Sequence, residues 1–366
     1  MKKYFYNIII GKYRGLVPGL IRSLLFILAI FYVLVIRILA AFNSLKQVRL
    51  GCRVISVGNI TLGGTGKTSL VEYITRYLKS KGKKIVILTR GYKRNSKLKT
   101  PCLAGRQESS KLDYNSMGDE PYMLAKKLGI PVIVGPDRVR SAKSAGKDYN
   151  ADTIILDDGF QQWRIKKDLE IVTIDATDPF GNFYCLPRGI LREPLSSLKR
   201  ADILVITKTN LNPDVADIKD FLNKINPRAA IFESIHKPKG FYALDRGDQP
   251  LGLGTIKGKN VAIFSGIGDP DSFEELIIRL EGKIGLSLQF SDHYNYVQND
   301  LDNIIKQARN KGINIIITTE KDAVRLSGLE ISDKCQGIVF LVLTIELEIT
   351  KDEPAFYSRL SGLCPA

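Results

Sequence analysis

Apolar positions along the chain fall into two regimes. Residues 23–36 read SLLFILAIFYVLVI, apolar or small throughout; Arg37 interrupts, and ILAAF carries the run to 42. Counted from Leu20, with Arg22 and Arg37 snorkelling, the stretch is long enough to cross a bilayer. A cleaved signal would begin earlier and would not run straight into a nucleotide-type motif. A buried core helix would show a polar face or a shorter run. Basic residues flank both ends, so charge does not orient the segment, and the expectation is attachment to a membrane, by spanning it or lying in its interface.

Beyond it, short apolar runs alternate with amphipathic ones. The runs at 53–58, 84–90, 131–135, 153–158, 169–175 and 202–208 predict strands, and 69–82 and 120–129 predict helices between them. Continuously apolar strands separated by helices point to a parallel sheet covered on both faces. The Gly- and Pro-bearing stretch 238–254 reads as a connection. After it the pattern resumes with strands at 260–268, 286–292, 314–320 and 337–347 and helices at 272–281 and 299–311. The expected organisation is an N-terminal membrane anchor (1–48), an α/β core (49–245) and a smaller C-terminal α/β domain (246–366), with a cleft between the last two suited to a two-substrate reaction.

Charge sharpens this picture. The 366 residues carry 54 Lys and Arg against 38 Asp and Glu. The first acidic residue is Glu72, and ten basic residues precede it, from Lys2 to Lys67. A basic belt beside an apolar run is attracted to anionic head groups, by about 1 kcal/mol per residue. Nucleic-acid binding is disfavoured, since no aromatic-basic motif accompanies the charge. The five cysteines are scattered, odd in number and without C-x-x-C spacing, which argues against a disulfide framework or a zinc site.

The strongest chemical signal is Thr61–Leu62–Gly63–Gly64–Thr65–Gly66–Lys67–Thr68, placed after a predicted strand and before an amphipathic helix. That context is what a phosphate-binding P-loop requires. The glycines let backbone N–H groups close around phosphate oxygens, Lys67 would reach the β- and γ-phosphates of ATP, and Thr68 would hold Mg²⁺. Thr61 stands where such loops usually begin with glycine. The second signal is TIILDDGFQQ at 153–162, an apolar strand ending in a carboxylate pair of the Walker-B kind. Adjacent carboxylates on extended chain point to opposite sides, so Asp157 and Asp158 have different roles; a turn cap is the bland alternative for either.

Taken together, the chain resembles the tetraacyldisaccharide 4′-kinases of lipid A assembly. The resemblance is carried by VGNITLGGTGKT (57–68), TRGYKR (89–94), GDEP (118–121), DDGFQ (157–161), FGN (180–182), LREP (191–194), FSGIGDP (264–270), DHY (292–294) and TTEKDAVR (318–325), in family order over nearly the whole chain. It implies a P-loop core, a smaller C-terminal domain, a membrane helix, and transfer of the γ-phosphoryl of ATP, with Mg²⁺, to the 4′-hydroxyl of an acylated glucosamine disaccharide 1-phosphate. By motif, Asp119 is the expected general base, His293 its hydrogen-bonding partner, and Asp158 with Asp157 the metal carboxylates. Arg192 is the preferred grip for the 1-phosphate or the transferring phosphoryl, with Arg90 and Asn182 further substrate candidates and Arg94, Arg138 and Arg188 behind them. The expected setting is the cytoplasmic face of the inner membrane, with membrane lipids and the glycolipid as partners, and no nucleic acid or protein partner. By spacing alone Asp119 would be an N-terminal helix cap before Pro121, and His236 a structural histidine. Gln162 stands where the family commonly has His, and Lys93 where it often has Gly. The rival from another class is a membrane-tethered P-loop ATPase or GTPase switch, for which TKTN (207–210) is a poor base-reading motif. A P-loop enzyme of soluble substrates, its apolar N-terminus only a packing helix, is the second rival.

Overall fold

The computed structural model describes residues 8–9, 12–13, 15–90, 102–104, 117–244, 249–330 and 337–362. Arg94, Lys93 and most of the TRGYKR motif lie outside the described residues, as do Cys335 and Cys364.

Helix α1 (Leu16–Leu45) is followed by strand β1 (Arg53–Gly58), helix α2 (Lys67–Ser80), and β2 (Ile85–Thr89). Next come β3 (Cys102–Ala104), α3 (Asp119–Leu128), β4 (Val132–Val134), α4 (Arg138–Tyr149), β5 (Thr153–Asp157), β6 (Leu169–Asp175) and β7 (Ile203–Thr207). The chain continues through α5 (Ala216–Ile225), β8 (Ala230–Ala243), β9 (Pro250–Leu251), β10 (Asn260–Ser265), α6 (Pro270–Arg279) and β11 (Lys283–Gln289). It closes with α7 (Gln298–Asn310), β12 (Ile315–Thr319), α8 (Glu320–Arg325), β13 (Val339–Ile349) and α9 (Glu353–Ser361).

The expected α/β architecture with a largely parallel sheet is present. Strands run in the order β11-β10-β12-β13-β8-β7-β6-β1-β5-β2-β4-β3, with β9 beside β8. Within β1, β2, β5, β6 and β7 nearly every residue is buried, because helices cover both faces of a parallel sheet. One face packs Ile55, Val57, Ile155 and Ile171 against Leu70, Val71 and Ile74 of α2. The other packs Phe160, Val172, Ile174 and Leu204 around Leu191 and Leu198, with Tyr32 and Val33 of α1 against them.

The stretch read as a connection at 238–254 is strand as far as Ala243. Its Gly and Pro are accommodated because β8 changes partners midway. Ala230 to Glu233 pair in parallel with β7, and Ser234 to Ala243 pair antiparallel with β13. A register shift in β13 between Thr344 and Ile345, facing Gly240 and Pro238, absorbs the proline that cannot donate to the ladder. One long ribbon therefore joins the two parts of the sheet. The chain then returns: Leu347, Ile349, Phe356 and Leu360 fill the same core as the P-loop helix, and Tyr357 stacks on Tyr77 at 4.1 Å between ring centroids.

Helix α1 is the least buried of the helices, with Ala29 its one buried residue and Leu20, Phe31 and Ile38 between 58% and 71% exposed. Its 30 residues have a mean hydropathy of 2.8 over the most apolar window, enough by length and composition to cross a membrane. Contacts with the body occur near both ends and in the middle. Asn182 Nδ2 and Arg188 donate to the Ile9 carbonyl, Phe26 meets Tyr184 edge-on, and just past the helix Val48 N–H donates to the Arg164 carbonyl.

Candidate active site

The P-loop lies between β1 and α2, as its sequence context requires. Gly66 opens α2 with φ of 78°, a left-handed conformation that favours glycine, and a Cβ there would come within 3.0 Å of His236 Nε2. Thr65 is fixed from below: its hydroxyl meets that of Thr173 at 2.8 Å, and its carbonyl accepts from Thr207 Oγ1. Thr61, in the place of the usual glycine, is buried and forms an isolated bridge with Leu191. Leu62 N–H donates to the Ile190 carbonyl and Arg192 N–H to the Ile60 carbonyl, so the LREP segment is stitched to the loop.

The carboxylate pair divides as the strand geometry predicts. Asp157 ends β5 fully inside, where burial, then the charges of Glu120 and Asp158, push its carboxyl up to about 7. Asp158 leaves the strand at φ of 54° and faces cations. Arg192 grips it with both terminal nitrogens, at 2.7 and 3.1 Å, and Lys67 Nζ stands 3.9 Å away. Burial alone would raise its pKa, but Lys67 and Arg192 outweigh that and hold it below the usual carboxylate range. Arg192 also reaches Asn59 Oδ1 at 3.1 Å.

Asp119 begins α3, and His293 lies in the loop after β11 at φ of 56°. Their side chains meet, His293 Nδ1 to Asp119 Oδ2, at 2.9 Å. A third residue joins them that sequence reasoning gave no role. Arg325, 1% exposed at its side chain, donates to Asp119 from Nε (2.8 Å) and from a terminal nitrogen, and also to the Gly266 carbonyl and Asp322. The signal was present in TTEKDAVR, but nothing in the spacing says which side of that short helix faces Asp119. Burial would raise the Asp119 carboxyl, yet His293 and Arg325 hold it far below its ordinary value. The hydrogen bond to Asp119, helped by the charges of Asp119, Asp292 and Glu120, raises His293 against the opposing effect of burial.

These groups share one neighbourhood. A Cβ on Gly268, in the loop after β10, would lie 3.4 Å from Asp292 Oδ2 and 3.6 Å from the backbone N of Gly64. The DHY loop and the P-loop thus flank the same glycine. Two further contacts link α3 to α8, Glu120 with Lys321 and Lys127 with Glu320.

The other predicted residues sit in different settings. Arg90 is exposed just after β2. Arg138 is buried with its Nε and one terminal nitrogen unpartnered, and burial lowers its pKa to about 10 against the pull of Asp157 and Asp158. Asn182 is engaged by its own loop and by the N-terminal segment, donating to the Arg188 and Ile9 carbonyls and accepting from Tyr184 N–H. Arg188 packs over the Tyr184 ring at 4.7 Å. His236, given a bland reading from sequence, abuts Gly66. Burial, then Lys208, lowers its imidazole to about 4, and its Nε2 has no hydrogen-bond partner. Nearby, Lys208 bridges Asp175 at 2.6 Å and Asp269 at 2.5 Å, tying the end of β7 to the FSGIGDP loop.

A nucleotide-type P-loop, an ionised carboxylate beside its lysine, and an Asp–His pair whose DHY loop borders the P-loop at Gly268 define a P-loop phosphotransferase. The profile of the family described as tetraacyldisaccharide-1-P 4′-kinase matches residues 21–364, and the chain belongs to that family. It is 37% identical over 364 residues to the tetraacyldisaccharide 4′-kinase of Halothermothrix orenii, covering 95% of this chain and 94% of the relative. It is 38% identical over 298 residues to the enzyme of the same name from Syntrophus aciditrophicus, covering 78% of each. The crystal structure of LpxK from Aquifex aeolicus in complex with ATP superimposes with a TM-score of 0.73 at 28% identity, over 93% of this chain and 98% of that one.

Proposed function

We propose that the chain transfers the γ-phosphoryl group of ATP to the 4′-hydroxyl of an acylated glucosamine disaccharide 1-phosphate, with residues 61–68 holding the nucleotide phosphates. Lys67 lies along the β- and γ-phosphates. The oxygen donors Thr68, Asp158 and Asp157 are the hard ligands that Mg²⁺ prefers. Bound there, the ion supplies neutralisation of charge on the phosphoryl oxygens. Arg192, already forked onto Asp158, serves the transferring phosphoryl better than a distant 1-phosphate. Arg90 and the buried guanidinium of Arg138, whose Nε and one terminal nitrogen are unpartnered, are the remaining anion grips, and Asn182 acts by holding the loop that ends at Arg192.

Asp119 takes the hydroxyl proton. A loose phosphoryl-transfer transition state asks for a positioned carboxylate more than for a strong base. His293 and Arg325 keep Asp119 ionised and fixed. The observation that carries this reading is the 2.9 Å Asp119–His293 contact, with Asp292 of the same DHY loop facing the P-loop across Gly268.

In this reading α1 attaches the chain to the inner membrane, with residues 49–245 and 246–366 as working units on the cytoplasmic side, where ATP is. The acyl chains stay in the lipid and the sugar enters between the two units. No nucleic acid or protein partner is required. The test is transfer of label from γ-labelled ATP with Mg²⁺ to acylated disaccharide 1-phosphate in detergent micelles. Label in the lipid, lost in Lys67→Ala and Asp119→Ala, is the expected result. Label released only as inorganic phosphate would favour a membrane-tethered ATPase switch instead.

A further inference from the structure

Near its midpoint the apolar helix holds the main chain of Arg192. The Tyr32 hydroxyl donates to the Arg192 carbonyl at 2.9 Å, and Tyr32 and Val33 pack on the cluster that contains Ile60, Phe160 and Leu191. On its other edge the same residue belongs to the P-loop, because Arg192 N–H donates to the Ile60 carbonyl at 2.6 Å. Leu62 N–H reaches the Ile190 carbonyl at 2.8 Å, and Thr61 bridges Leu191. Residues 190–192 are therefore a strip of main chain caught between the phosphate loop and α1. From that strip the Arg192 side chain forks onto Asp158 at 2.7 and 3.1 Å.

We propose that Tyr32 is a positioning residue for phosphoryl transfer, through which α1 fixes the strip that aims Arg192 at Asp158. The helix is otherwise sparingly attached, with one buried residue in 30, so this contact is well placed to carry its influence inward. A two-point guanidinium–carboxylate fork depends on the direction of approach as well as on distance. Small displacements of a group that organises the reacting phosphoryl cost rate out of proportion to the hydrogen bond that was lost. The helix thereby couples seating on lipid to the alignment of the charged site. This inference rests on the role given to Arg192 in the proposed function.

Tyr32→Phe is the direct test, since it removes the hydroxyl and keeps the ring packed. The expected result is a kcat for transfer to the lipid acceptor lower by about fivefold or more. KM for ATP and binding to phosphatidylethanolamine–phosphatidylglycerol vesicles should stay as in the wild type, and amide exchange at 190–192 should speed up. In a double-mutant cycle, Tyr32→Phe should add little to the loss already caused by Arg192→Lys, because both act through one fork. An unchanged kcat in Tyr32→Phe, a loss confined to KM for the lipid, or full multiplication with Arg192→Lys would each overturn the inference. Normal turnover in Arg192→Lys would instead overturn the role assigned to Arg192, and this inference with it. A slow Arg192→Lys enzyme beside a normal Tyr32→Phe enzyme overturns the inference alone.

Discussion

Arg325 Nε donates to Asp119 Oδ2 at 2.8 Å, joining the first residue of α3 to the last of α8 across 206 positions of sequence. The same guanidinium serves Asp322 and the Gly266 carbonyl, so one buried cation organises two carboxylates and a loop. Arg325→Met removes that cation and leaves both carboxylates in place. The expected cost in stability is about 3–5 kcal/mol, because the remaining charges stay buried without compensation. Urea denaturation checks it. Arg325→Lys should recover part of the stability but not the two-point hold on Asp119.

The Asp119–His293 pair has a signed dependence on pH. His293 is raised above its ordinary value of 6.5, so the folded state binds its proton more tightly than the unfolded chain. Its contribution is fully present below about pH 6.5 and is lost as pH rises through the folded value. His293→Gln should therefore lower Tm most at pH 5.5 and least near pH 9. Thermal melts of both proteins across that range decide it, and a gap that widens with pH would contradict the pairing.

Asp158→Asn keeps the shape of the carboxylate and removes its charge. With Lys67 and Arg192 left to repel one another, kcat should fall roughly 100-fold, as for loss of a charge-stabilising group in a polar site. Nucleotide affinity should change much less, since the P-loop backbone is untouched. Single-turnover transfer and titration calorimetry with ATP separate the two effects.

Gly66→Ala places a methyl at φ of 78°, within 3.0 Å of His236 Nε2. Left-handed backbone costs about 1–2 kcal/mol for a residue with a Cβ, and the loop must also shift away from the imidazole. ATP should bind at least tenfold more weakly, while the circular dichroism spectrum stays that of the wild type.

Much of the fold is legible in the sequence because parallel strands buried on both faces are continuously apolar. The runs at 53–58 and 169–175 coincide with β1 and β6, and the other expected strands of the core differ by a residue or so at their ends. β8 escaped because its residues 236–239 alternate half-buried and exposed and it carries Pro238 and Gly240, the composition of a turn. The P-loop is readable as a local motif, whereas Arg325 and His236 act through contacts far along the chain. Tyr32 is hidden for another reason: within a run of apolar residues, a tyrosine looks like one more ring for the lipid interface.

Helix α1 is about 45 Å long at 1.5 Å per residue, and the body touches it at Phe26, Tyr32 and Val33 and touches the chain beside it at Ile9 and Val48. Nearly all of its apolar surface is left to meet lipid, so an enzyme seated by it works at the surface that holds its acceptor. Such an enzyme samples its lipid in two dimensions. At a fixed bulk amount of acceptor, diluting it with inert detergent or phospholipid should slow turnover in proportion to its mole fraction in the surface. A rate constant quoted per litre of solution would then miss the variable that governs it.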